Sequence, residues 1–176
     1  MAQFAGLFQF KRERVQEDTE RLFLGFTVGG QCYALEVSGV REILRIPKIT
    51  SLPKVPAFVK GVIDLRGAIL PILDLRERLG LGTVDLKKGR VVVMVPGGSQ
   101  PLGLLVDAAT EAFKAGPADI LPPPEAVRQP QLSFIESVLR TPDQLYFLLR
   151  PKSILTAKEF QSLEARPWSE PGQAKK

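Results

Sequence analysis

The side chains best suited to reactive chemistry in this 176-residue chain are the carboxylates Glu36, Glu42, Asp64, Asp74, Asp107 and Glu111. A pair such as Asp64 and Asp74 has the residue types for acid–base exchange. Such chemistry needs titratable groups that converge on one point, and simpler roles are at hand. Asp74 stands before a helical turn, where a carboxylate accepts from free N–H groups. Asp107 ends a strand. The chain has no histidine, which removes Ser-His-Asp triads, Cys-His pairs, histidine metal sites and a phosphorelay histidine. Its single cysteine, Cys32, rules out an intrachain disulfide and a Cys-rich zinc site. Cys32 lies beside Gln31 and Tyr33, where nothing lowers a thiol pKa. No GxxxxGK[ST] or GxGxxG pattern opens a helix after a strand. We therefore expect no enzyme, no metal and no cofactor.

The side chain left with chemistry to offer is Arg66. The run from Pro56 to Arg76 reads as a hairpin with one arginine at its tip. Arginine presents a planar fork of donors that suits a carboxylate or backbone carbonyls. On physical grounds two readings stand: a solvated tip or a contact for a partner.

The charge balance narrows the partner. Lys and Arg number 24 against 19 Asp and Glu, for a net charge of +5. The basic residues are scattered among acidic ones and are not interleaved with exposed aromatics, so no nucleic acid is expected. Lys11-Arg12-Glu13-Arg14 follows a mildly apolar start with no signal-peptide pattern. No segment reaches the roughly 18 apolar residues of a membrane span. With cysteine usage, this predicts a cytoplasmic protein without direct membrane insertion.

Many short elements must position these residues. Leu22, Leu24, Phe26 and Val28 alternate as a strand, Gly29-Gly30 supplies a tight turn, and residues 32–37 return. Ser38 is a helix N-cap candidate, and Val40, Ile43 and Leu44 fall at helical spacing, predicting a short amphipathic helix. Pro47, Pro53 and Pro56 mark a loop. Strands follow at 58–65 and 69–73 around the Arg66-Gly67-Ala68 turn, and Pro71 predicts an edge or a bulge. Asp74 leads into a helical turn ending at Gly80. Further strands are expected at 91–95, 102–106 (after a Gly97-Gly98 turn), 110–114, 120–121 and 146–150. Residues 134–140 fit either helix or strand, and 156–163 read as a closing helix. Residues 1–20 form an extension with some helix, 21–163 the folded body, and 164–176 a disordered tail. The pattern predicts an all-β barrel or sandwich. Gly29-Gly30 with Tyr33 to Val37 is echoed by Gly97-Gly98 with Leu102 to Val106. Chance and two similar barrels both remain open as explanations.

The run Pro56-Ala57-Phe58-Val59-Lys60-Gly61-Val62-Ile63-Asp64-Leu65-Arg66-Gly67-Ala68-Ile69-Leu70-Pro71-Ile72-Leu73-Asp74-Leu75-Arg76 resembles the signature of CheW-type chemotaxis coupling proteins. That signature reads PAF-[IV]-x-G-[VI]-x-NLRG-x-[IV]-[IVL]-P-[IV]-[IVL]-DLR. Val40-Arg41-Glu42-Ile43 and Leu102-Gly103-Leu104-Leu105-Val106-Asp107 are similar to two further family segments. The resemblance covers about residues 21 to 163. It implies an all-β fold with short helices, built as two five-stranded SH3-like β-barrels sharing a hydrophobic interface. It also implies a non-enzymatic scaffold linking the cytoplasmic tips of chemoreceptors to the regulatory domain of a CheA-type histidine kinase. Receptor contacts would be Val40, Ile43, Arg66, Val106 and Ala109, in a groove between the barrels. Kinase contacts would be Glu42, Leu44, Ile46, Ile49 and Leu52, with the opening hairpin, on the ends of the first barrel. One position departs from the pattern: Asp64 replaces the usual Asn. An acid beside Arg66 is expected to pair with it, compete with a partner and alter receptor preference, as in an alternative chemosensory pathway.

Overall fold

The computed structural model describes residues 20–96 and 100–164. The extension through residue 19, the tail from 165 and the Gly97-Gly98 turn lie outside them. The first strands form as their alternation dictates: β1 (Arg21–Val28) and β2 (Gln31–Glu36) are antiparallel. Gly29 and Gly30 join them with φ of 58° and 80°. This left-handed pair is the two-residue turn whose twist matches flanking strands. β1 is buried on both faces, because each face meets a different core.

The next strands make a five-stranded sheet. β3 (Val40–Arg45), β4 (Val59–Leu65), β5 (Ala68–Asp74), β6 (Arg90–Met94) and β7 (Leu102–Val106) take the order β3-β6-β7-β5-β4. The chain ends make the other sheet. β8 (Ala108–Ala115), β9 (Ile120–Leu121), β10 (Ile135–Arg140) and β11 (Leu145–Leu149) join β1 and β2 in the order β8-β1-β2-β11-β10-β9. This sheet has six strands where five were expected, the extra one being the two-residue β9. The opening hairpin and the Leu44-to-Leu52 segment, expected on one barrel, therefore belong to different sheets.

The hairpin echo has a topological counterpart. β1–β2 lies beside β10–β11 through the parallel pair β2/β11, and β6–β7 lies beside β4–β5 through the parallel pair β7/β5. Each sheet thus pairs hairpins from the two halves of the chain. Three apolar clusters result. One, with Ile63, Ile72, Val91, Val93 and Leu105, belongs to the five-stranded sheet. Another, with Phe23, Ala34, Leu139 and Leu148, belongs to the six-stranded sheet. The largest lies between the sheets and joins Leu24, Phe26 and Val28 to Val92, Met94, Leu104 and Val106. The edges of the five-stranded sheet are drawn together after β3, where the Thr50 N–H donates to the Val62 carbonyl and its carbonyl accepts from Val62, both at 2.9 Å. This gives the SH3-like curl.

The structure overturns one local expectation and narrows another. The predicted helix over Val40, Ile43 and Leu44 is strand β3, preceded by a 3-10 turn at Val37–Gly39. The register slips between Val40 and Glu42, so Val40 pairs with Met94 and Ile43 with Val92. This β-bulge puts two apolar residues three positions apart on one face, imitating a helical period. Pro71, expected at an edge or a bulge, lies in the interior strand β5, one position from the bulge that its partner β4 makes between Val59 and Gly61. It stands opposite Val62, whose N–H and C=O both turn away to Thr50. Pairing with β7 begins only at Ile72, so the missing proline N–H is not needed by the ladder. Residues 135–140, open between helix and strand, form β10. The helical turn Leu75–Arg78 is capped by Asp74, and a closing helix spans Ala157–Glu164.

Candidate partner-binding site

The β4–β5 hairpin reverses through Arg66 and Gly67 at φ 51° and 87°. Only glycine enters that region without steric cost, so an arginine there is conspicuous. The turn is held from below: the Gly67 N–H donates to Asp64 Oδ1 at 2.8 Å. Asp64 therefore does not pair with Arg66, contrary to expectation. An asparagine carbonyl could accept the same bond, so the departure from the family pattern leaves the turn intact. The Arg66 guanidinium instead pairs with Glu42 Oε2 on β3. The arginine side chain is 70% exposed and the glutamate 29%, which leaves most of the donor fork facing solvent.

β3 sets what surrounds that pair. Its residues alternate between partly buried and exposed. Val40 packs on the core between the sheets. Ile43 shares that side through Val92 and is 40% exposed, so an apolar side chain lies open at the rim of the inter-sheet core. Arg41 and Arg45 flank it, exposed. The structure thus brings Val40, Glu42, Ile43 and Arg66 to one end of the five-stranded sheet.

Other expected residues lie elsewhere. Val106 is fully buried in the inter-sheet core and presents no surface. Through the ladder Glu42–Val93–Gly103 it stands three positions further along β7, or about 10 Å at ~3.3 Å per residue. Ala109 is half-buried on β8, opposite Phe26 in the other sheet. Leu44, Ile46 and Ile49 pack against the core of the five-stranded sheet, and Leu52 is half-buried. Glu42, expected with those residues on the kinase side, is bound to the arginine expected on the receptor side.

A second polar cluster was not foreseen. The Gly29 N–H donates to Asp107 Oδ2 at 2.7 Å, and Arg76 Nη1 lies 3.4 Å from the same oxygen. Arg76 and Asp107 were both visible at the ends of apolar runs, but nothing in their spacing brought them together. The two oxygens of buried Asp74 accept from the N–H groups of Glu77 and Val84, which gives it the capping role read from the sequence. Burial pushes the Tyr33 hydroxyl above its ordinary pKa. Among the described residues, no cluster of His, Cys, Asp or Glu is placed to hold a metal ion, and no helix is long and apolar enough to cross a membrane.

Comparison with known proteins bears on this geometry. The CheW-like domain family model matches residues 22–159. Chemotaxis protein CheW of Rhizobium meliloti (strain 1021) is 34% identical over 139 residues, which cover 79% of this chain and 90% of that protein. Protein PilI of Pseudomonas aeruginosa is 35% identical over 141 residues, covering 78% and 76% respectively. The crystal structure of scaffolding protein TtCheW from Thermoanaerobacter tengcongensis superposes with a TM-score of 0.71 at 29% identity, covering 79% of this chain and 94% of that one.

Proposed function

The chain belongs to the CheW-like family, and on that premise we propose that it is a non-enzymatic scaffold of chemosensory signalling, coupling the cytoplasmic tips of chemoreceptors to the regulatory domain of a CheA-type histidine kinase. The observation that carries this reading is Arg66. It occupies a strained left-handed turn position, is mostly exposed, and is oriented by Glu42, which precedes the exposed Ile43 on β3. An exposed apolar residue on the strand that holds the guanidinium's carboxylate suits a helical partner that offers apolar anchors and one acceptor.

The receptor would meet Ile43, Val40 and Arg66 on the five-stranded sheet and Ala109 on the six-stranded one. Val106 supports that surface from within. The kinase domain would meet the segment from Leu44 to Leu52, where Ile46, Ile49 and Leu52 are partly exposed, with Glu42 at its start. The protein would work in the cytoplasm at receptor arrays, held there by its partners.

Reconstitution with a receptor signalling tip and a kinase regulatory domain tests the proposal. A ternary complex containing both supports it. Binding to neither partner, by a folded chain, refutes it.

A further inference from the structure

The two sheets meet through an apolar core, and apolar burial is non-directional. It fixes how close the sheets lie better than how they are oriented. Directional bonds converge where β7 leaves one sheet and β8 enters the other. The Asp107 N–H donates to the Thr27 carbonyl on β1 at 2.9 Å. The Asp107 carboxylate accepts from the Gly29 N–H in the β1–β2 turn at 2.7 Å. Its two oxygens lie 3.5 and 3.4 Å from Arg76 Nη1, on the helical turn of the five-stranded sheet. Arg76 in turn donates from Nε to the Leu81 carbonyl at 2.7 Å, and the Leu81 N–H returns to the Arg76 carbonyl at 2.9 Å.

An independent observation places the same elements in contact. A Cβ built on Gly29 would fall 2.6 Å from Leu81 Cδ1. The β1–β2 turn and the Arg76-to-Leu81 segment are thus seated on each other, with Asp107 as the shared acceptor. The carboxylate and guanidinium are both partly shielded, at 26% and 36% exposure.

We propose that Asp107 is a positioning residue that clamps the β1–β2 turn to the Arg76 turn and so sets the orientation of the two sheets. This deepens the proposed function and rests on it: the receptor surface spans both sheets, whereas the kinase contacts of the proposed function, Glu42 and the segment from Leu44 to Leu52, belong to the five-stranded sheet and its loop. Loss of the clamp therefore separates the two affinities, which a general loss of stability would not.

The test compares Asp107→Ala, Asp107→Asn and the unaltered protein in a Cys32→Ser background. Nitroxide labels go at exposed Lys114 on β8 and Arg45 on β3, and pulsed electron–electron spin resonance reads the distance between the sheets. Asp107→Ala is expected to widen that distance distribution and weaken receptor-tip binding about tenfold, the scale of an unsatisfied donor. Kinase-domain binding should stay within about twofold, as for an independent site. Asp107→Asn, whose carbonyl still accepts from Gly29, should keep the narrow distribution. An unchanged distribution in Asp107→Ala, or equal losses for both partners, overturns the clamp. Failure of the unaltered protein to bind the receptor tip overturns the proposed function instead, and the distance measurement then decides the clamp alone.

Discussion

Arg66 on the β4–β5 turn and Glu42 on β3 form an ion pair between elements 24 residues apart in sequence. The pair joins the outermost strand of the five-stranded sheet to the hairpin at its other edge. It also fixes the direction of a guanidinium whose own backbone is strained. Exposed pairs of this kind contribute about 0–1 kcal/mol to stability, so the arginine is not explained by its contribution to the fold.

That mismatch can be measured. Asparagine tolerates the left-handed region better than arginine. Arg66→Asn is expected to match or exceed the unaltered protein in thermal midpoint while losing receptor binding. A marked fall in midpoint would make Arg66 a structural residue.

Asp64 separates turn geometry from partner choice. Asp64→Asn retains an acceptor for the Gly67 N–H and should leave stability unchanged. Asp64→Ala removes it and should cost about 1 kcal/mol, as for a typical hydrogen bond. Chemical denaturation of the three proteins gives these differences. Equal stability of the alanine and aspartate forms would show that the bond does not hold the turn.

The curl of the five-stranded sheet depends on one glycine. Gly61 has φ 140°, and a Cβ there would lie 2.0 Å from the Thr50 carbonyl oxygen. Gly61→Ala should therefore break the Thr50–Val62 bridge and destabilise the protein by about 3 kcal/mol, through backbone strain and two lost bonds. Hydrogen exchange at the Thr50 and Val62 amides should accelerate. Unaltered exchange would show that this bridge does not hold the edges together.

Much of this was legible because it is written in local pattern. Gly29-Gly30 specifies its turn, Asp74 specifies its cap, and the strands from Val59 to Asp74 follow from apolar runs on either side of the hairpin tip. β3 was misread because its bulge spaces Val40 and Ile43 like a helix, and only pairing with β6 decides between the two. The shared surface of Glu42 and Arg66, and the meeting of Gly29, Arg76 and Asp107, are products of sheet topology. No local rule in the sequence relates a turn at residue 29 to a carboxylate at residue 107.

The central claim is that Arg66 contacts the receptor. The most direct test is the affinity of a receptor signalling tip for Arg66→Ala and for the unaltered protein, with thermal midpoints measured on the same samples. The expected result is binding weakened by about tenfold or more, the scale of an interface anchor, at an unchanged midpoint. Equal affinities would contradict the claim and remove Arg66 from the interface.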